Sequence, residues 1–390
     1  MLLQFSVTNY RSIKETAIIS MKASGDKTME TSLIYPDSQK PLVPVTAIYG
    51  ANAAGKSNVI YALLLMKDMV CGNYAKLLKG ENLPYEPFAF MENQTEPTTF
   101  EIIYYYKGIK YAYGFSYNDE KIVSEYLYHW PNGREALVFS RENDIYEFRE
   151  NQQEQRTLAS RTSGNKLYLT CSNEWNCSQT EKAYLWFRNK LCDVTETTVS
   201  FESTINAIRS GNEAKSQILK EMMLADLGIS DIEVLENNNK TTVKTIHQIS
   251  DSNGNVKQYE LLLGQESMGT QRFFSRIGLW LNAMNSGSVL VVDEIETSLH
   301  PMLTRHLIEM IQDRSINKNH AQLIFTTHDV GLLDLKLLRR DQIWFVEKDN
   351  QNMQTEVYAL TEFSPRKEEN IAKGYMQGRY GAVPFIGGGL

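Results

Sequence analysis

The chain has 390 residues, 42% hydrophobic and 22% charged, which suits a globular protein with two or three lobes and a large core. A net charge of −7 excludes a surface given over wholly to nucleic acid, though not a local basic patch. The four cysteines (Cys71, Cys171, Cys177, Cys192) lack metal-ligand spacing, and no apolar window approaches the roughly 18 residues of a membrane span. Free thiols, no signal peptide, no membrane span and a cytoplasmic location are therefore expected.

Residues 2–8 alternate like a strand, and 16–21 read as its hairpin partner, joined through Asn9-Tyr10-Arg11-Ser12-Ile13. Residues 24–44 are rich in Ser, Asp, Lys and Pro and read as a loop. A short β-rich run at 45–49 then meets Gly50-Ala51-Asn52-Ala53-Ala54-Gly55-Lys56-Ser57, which fits G-x-x-x-x-G-K-[ST]. A helix follows, expected to reach about Leu78. Strand, glycine loop and helix in that order make a P-loop. Its glycines let backbone N–H groups turn inward around a phosphate, and the helix N-terminus adds partial positive charge. Lys56 is expected to reach the β- and γ-phosphates and Ser57 to ligate Mg²⁺. Asn52, Gly55 and Asn58 are expected to complete the nucleotide contacts.

Two prolines break the chain at 80–88. From Thr98 to Trp130 a tyrosine-rich antiparallel meander is expected; its tyrosines read as half-buried sheet faces, with a base-stacking platform as the alternative. Residues 141–165 are polar and read as a mobile loop. Helices are expected from about Glu181 and from Ser203 to Leu224, so 151–230 reads as a helical lobe inserted between two parts of one head, 1–150 and 231–390. Strands are expected at 229–235, 241–249 and 256–263, with Ser252-Asn253-Gly254-Asn255 as a turn.

An apolar helix at 273–284 precedes Ser288-Val289-Leu290-Val291-Val292-Asp293-Glu294. Such a run reads as a buried parallel strand, whose C-terminal end is where an open α/β sheet binds ligands. Asp293 is expected to hold Mg²⁺ and Glu294 to orient and deprotonate a water. The run 321–329 repeats the pattern and ends in His328, expected to sense the γ-phosphate. The run 342–346 reads as another core strand.

Together these motifs resemble an ABC-class P-loop ATPase of the branch containing SMC, RecF and the overcoming-lysogenization-defect (OLD) proteins, nearest to small prokaryotic OLD-like AAA ATPases of anti-phage modules. Asn9-Tyr10-Arg11-Ser12-Ile13 is similar to that branch's N-terminal motif, which implies that Arg11 approaches the phosphates. Glu266-Ser267-Met268-Gly269-Thr270 resembles its signature, and Asp293-Glu294-Ile295-Glu296 with Leu299-His300-Pro301 its Walker B and D-loop. Residues 370–384 resemble the C-terminus of the small members. The resemblance implies an α/β head, with a mixed sheet, flanking helices and an antiparallel meander. It also implies a face-to-face dimer, or a higher even oligomer, in which Ser267 and Gly269 of one copy contact the γ-phosphate held by Lys56 of the other. ATP would join the copies and hydrolysis would release them.

No sustained heptads supply the long arms of SMC proteins, and with no Toprim motif recognised, no nuclease chemistry in cis is expected. No Q-loop glutamine stands out; residues 85–90 are nearest by position. Three functions remain open. One is an ATP-hydrolysing regulator of a separate effector, a nuclease or toxin, in defence. Another is a RecF-like DNA-binding ATPase using Lys182, Arg188, Lys190, Lys215 and Lys220. The third is a protein that uses ATP only to assemble, against which the intact Asp293-Glu294 pair argues.

Overall fold

The computed structural model describes residues 1–36, 40–90, 95–194, 200–225, 228–237, 240–250, 255–349 and 351–383. Strands β1 (Leu2–Thr8) and β2 (Ala17–Ser20) precede β3 (Val45–Gly50), the P-loop and helix α1 (Lys56–Cys71). The meander is β4 (Thr98–Tyr106), β5 (Ile109–Tyr117), β6 (Ile122–Trp130), β7 (Ala136–Glu142) and β8 (Ile145–Phe148). Helices α2 (Gln152–Ala159), α3 (Tyr168–Glu174) and α4 (Ser178–Lys190) lead into β9 (Leu191–Asp193). After α5 (Glu202–Arg209) and α6 (Asn212–Ala225) come β10 (Ile229–Asn237), β11 (Lys240–Ser250) and β12 (Val256–Leu262). The last elements are α7 (Met268–Ser286), β13 (Val289–Val292), α8 (Pro301–Gln312), β14 (Gln322–Thr327), β15 (Ile343–Lys348), β16 (Thr355–Ala359) and α9 (Ile371–Met376).

The described residues form three sheets, giving the mixed α/β architecture expected. One is antiparallel, in the order β2-β1-β4-β5-β6-β7-β8. The P-loop sheet runs β16-β15-β3-β14-β13-β9, parallel except for the edge strand β16. The third is the small antiparallel sheet β10-β11-β12.

The central strands β3, β13 and β14 are buried at every position, and β13 is wholly apolar, as a strand covered on both faces should be. Side chains alternate between two cores with the period of the strand. Val289 and Val291 face the core shared with the antiparallel sheet, while Leu290 and Val292 face the core built by α7 and α8. Most of the meander's tyrosines are core: Tyr104, Tyr113 and Tyr117 are fully buried, and Trp186 of α4 stacks on Tyr104 at 4.2 Å between ring centroids. That packing supports the sheet-face reading over a base-stacking platform.

Residues 151–230 divide their packing. Leu158, Tyr168 and Trp186 from α2, α3 and α4 enter the first core, whereas Ala207, Ile218 and Met222 from α5 and α6 enter the second. Between them β9 pairs in parallel with β13.

Three boundaries differ from expectation. Helix α1 stops at Cys71, where the Gly72 N–H caps onto Asp68 O and the Asp68 carboxylate takes the Asn73 N–H. The polar stretch expected as a loop contains β8 and α2. The helix expected from Ser203 to Leu224 is two helices, broken at Gly211 with φ 152. The Ser252-Asn253-Gly254-Asn255 turn lies largely outside the described residues, as does Pro384 at the chain's end.

Candidate nucleotide-binding site

Strand order places β14 between β3 and β13, so the loop after β3 and the acids after β13 emerge from the same end of the sheet, one strand apart. Two glycines shape the loop. A Cβ on Gly50 would stand 2.3 Å from Val346 O, and Gly55, at φ 108, has Thr355 Oγ1 2.3 Å from where its Cβ would be. Neither position has room for a side chain. Helix α1 then starts at Lys56, aiming its free N–H groups into the loop.

The Lys56 ammonium is buried and donates to Gly50 O at 3.0 Å and Ala51 O at 3.1 Å. Burial lowers its pKa, and the carboxylates of Asp293, Glu294 and Glu296 oppose that shift. Asn58 donates to Ser12 Oγ at 2.7 Å, Ser12 shares a 2.7 Å hydrogen bond with Thr355, and Thr355 Oγ1 donates to Ala54 O at 2.8 Å. The N-terminal turn and the start of β16 thereby lock the loop's outer wall. Asn52 is exposed on the loop.

Ser57 Oγ lies 3.1 Å from Asp293 Oδ1, bridging 236 residues of sequence. Asp293 also accepts from Thr326 Oγ1 at 2.5 Å and from Tyr61 Oη at 3.1 Å. The next residue, Glu294, is exposed and has φ 49, a left-handed conformation unusual outside glycine. Its N–H donates to Thr326 Oγ1 at 2.8 Å. His328 presents an exposed imidazole, and its N–H donates to Glu296 Oε1 at 2.7 Å.

Arg11, also left-handed at φ 50, pairs through Nε with Glu86 at 2.5 Å, while its N–H donates to Glu86 O at 2.8 Å. Its guanidinium lies 5.5 Å from the centre of the Tyr61 ring, and Tyr61 bonds Asp293. The stretch nearest to an expected Q-loop thus offers this arginine a carboxylate.

The signature residues stand apart. Ser267 is exposed and caps α7, accepting the Thr270 N–H at 3.1 Å. A Cβ on Gly269 would come no closer than 3.6 Å to Ser298 O, which puts the start of α7 beside the turn after β13. Among the described residues, no hydrogen bond joins Ser267 or Gly269 to the P-loop of the same chain. His300 is the N-cap of α8, with Pro301 as the first helical residue.

The structure therefore brings Gly55, Lys56, Ser57, Asn58, Asp293, Glu294 and His328 to one end of one sheet, with Arg11 joined through Tyr61. Thr326, Tyr61, Ser12 and Thr355 escaped the sequence reading. Tyr61 carried a faint signal, since it lies four residues after Ser57 on one helix face. Thr326 had only its place two residues before His328. The oxygen donors fit a small hard cation, since Ser57 Oγ and Asp293 Oδ1 are adjacent, and the glycine cradle beneath Lys56 fits a polyphosphate. The basic residues considered for DNA fall on two helices in different cores. Lys190 donates to Ser286 O and Lys215 pairs with Asp231 at 2.9 Å. No helix among the described residues is long and apolar enough to cross a membrane.

The SMC head domain from Thermotoga maritima is 13% identical with a TM-score of 0.43, covering 92% of this chain and 98% of that one. An SMC head bound to the C-winged helix domain of ScpA is 12% identical with a TM-score of 0.43, covering 93% and 99%. An SMC head with an extended coiled coil bound to the C-terminal domain of ScpA, derived from Pyrococcus furiosus, is 12% identical with a TM-score of 0.38, covering 93% and 97%. No curated protein matches the sequence. The family described as AAA domain, putative AbiEii toxin, type IV toxin–antitoxin system matches residues 45–334, and the chain belongs to that family.

Proposed function

We propose that this chain hydrolyses ATP in an ATP-bridged dimer, in the cytoplasm, and thereby controls a separate effector in prokaryotic defence. The observation that carries the catalytic part is the 3.1 Å contact between Ser57 and Asp293. A hydroxyl at the start of a P-loop helix and a carboxylate at the end of a core strand meet where a triphosphate's metal would sit.

ATP binding requires the Lys56 ammonium to exchange two loop carbonyls for phosphate oxygens. Burial lowers the Lys56 pKa, and a bound anion would oppose that shift as the nearby carboxylates do. Backbone N–H groups of the loop and of α1 take the remaining phosphate charge. Ser57 and Asp293 would hold Mg²⁺, which supplies charge neutralisation on the phosphate oxygens. Glu294 accepts the proton of the attacking water as the new P–O bond forms and the bond to the ADP oxygen breaks. His328 is exposed at the end of the neighbouring strand and would donate to the γ-phosphate.

Support for a dimer comes from the signature. Ser267 is exposed and Gly269 half-buried, while Met268 is 58% exposed and Met302 66% exposed at the starts of α7 and α8. Apolar side chains around an anion-ready helix start suit a face that a second copy covers when ATP is present. The family's description as a toxin–antitoxin component supports the defence setting and a companion protein.

Steady-state phosphate release tests the catalytic part. The wild-type chain should turn over ATP, and Lys56→Ala should lower turnover by at least about 100-fold, since it removes a charge that contacts the transferred group. Turnover in Lys56→Ala equal to wild type would contradict the assignment.

A further inference from the structure

We infer that Thr326 is a positioning residue for hydrolysis, its single hydroxyl setting both the Asp293 carboxylate and the backbone from which Glu294 projects. The inference rests on the ATPase reading above. Thr326 is fully buried at the end of β14. A hydroxyl carries one proton, and here its direction is settled by its neighbours. Asp293 Oδ1, 2.5 Å away, takes that proton, and the lone pair receives the Glu294 N–H at 2.8 Å.

The backbone adds a second clamp. The Ile295 N–H donates to Thr326 O at 3.1 Å. Two successive N–H groups, on either side of the Glu294 side chain, therefore end on one residue of the neighbouring strand. Glu294 needs such support, because φ 49 is a costly conformation for a residue with a Cβ and persists only where its surroundings hold it. The same hydroxyl steadies the carboxylate that faces Ser57. Displacement at either point moves a group that must hold the metal or the attacking water in place.

The competing reading is that Thr326 only fills space in a buried strand and satisfies its own hydroxyl. The two readings separate experimentally, because the clamp from Thr326 O survives any side-chain substitution while the hydroxyl does not. Five proteins are compared: wild type, Thr326→Val, Thr326→Ala, Thr326→Ser and, as the control for the ATPase reading, Glu294→Gln. Three quantities are read: kcat and KM for ATP, and the Mg²⁺ midpoint for binding a fluorescent ATP analogue without turnover.

Outer-shell partners of metal-ligating groups typically contribute 10–100-fold, so Val and Ala should lower kcat by at least about 10-fold and raise the Mg²⁺ midpoint by about as much, with KM within about threefold. Thr326→Ser should return both toward wild type. Wild-type kcat in Thr326→Ala, or a Thr326→Ser as slow as Thr326→Ala, would overturn the inference. If Thr326→Val fails to fold, the Ser and Ala pair decides alone. A wild-type chain without turnover, or Glu294→Gln turning over normally, defeats the ATPase reading itself. An active wild type, a crippled Glu294→Gln and an intact Thr326→Ala defeat only the role given to Thr326.

Discussion

A methyl group on Gly278 would stand 2.4 Å from Thr204 Cα, inside the contact where α5 crosses α7. Thr204 Oγ1 accepts the Gly278 N–H at 3.1 Å and donates to Phe274 O at 2.5 Å, so the two helices touch through backbone. Alanine would gain about 1 kcal/mol of helix propensity there, but overpacking against backbone that cannot yield costs roughly 3 kcal/mol. Gly278→Ala should therefore destabilise by about 2 kcal/mol in denaturant unfolding, an outcome opposite in sign to that for an ordinary helix glycine. At this same scale, the candidate site was legible where its chemistry lies in contiguous residues. Gly55, Lys56 and Ser57 follow one another because one loop wraps one phosphate, and Asp293-Glu294 ends a strand whose apolar run is plain. Thr326, Tyr61, Ser12 and Thr355 were not legible, because their roles depend on register across strands and on contacts spanning up to 343 residues, such as Ser12 with Thr355. The pairing of Arg11 with Glu86 was likewise hidden, although the turn that carries Arg11 was singled out.

Elements were read well where burial imposes a period and poorly where polar sequence conceals one. Strand β13 is apolar because both faces are covered, and β4 of the meander alternates strictly between buried and half-buried residues. Helix α2 lies in a stretch rich in Gln, Glu and Arg, yet it buries Gln155, whose amide donates to Glu150 O at 2.7 Å. No hydrophobic period reveals a helix anchored that way. Ties between elements also rest on single pairs. His306 of α8 and Glu221 of α6 meet at 2.6 Å, and the hydrogen bond to Glu221 raises the histidine pKa against the opposing effect of burial. A raised folded pKa stabilises the fold fully below the ordinary histidine value of about 6.5 and loses that contribution as pH rises through the raised value. The stability gap between wild type and His306→Ala should thus be about 1 kcal/mol near pH 5.5 and shrink above neutrality. A gap that is the same at both pH values, or that widens with pH, would contradict the link.

The whole molecule is organised by one strand order. Placing β14 between β3 and β13 puts the P-loop, the acids of β13 and His328 on a common edge, while α7 carries Ser267 to the exterior beside the turn after β13. The P-loop, Asp293 and His328 meet within the chain while Ser267 is exposed, as the proposed ATP-bridged dimer requires. The most direct measurement is phosphate release and sedimentation of Glu294→Gln with ATP and Mg²⁺, compared with wild type. Glu294→Gln should keep ATP bound, sediment as a dimer only with ATP, and turn over at least about 100-fold more slowly, as loss of a general base requires. Phosphate release at the wild-type rate in Glu294→Gln would contradict the ATPase reading.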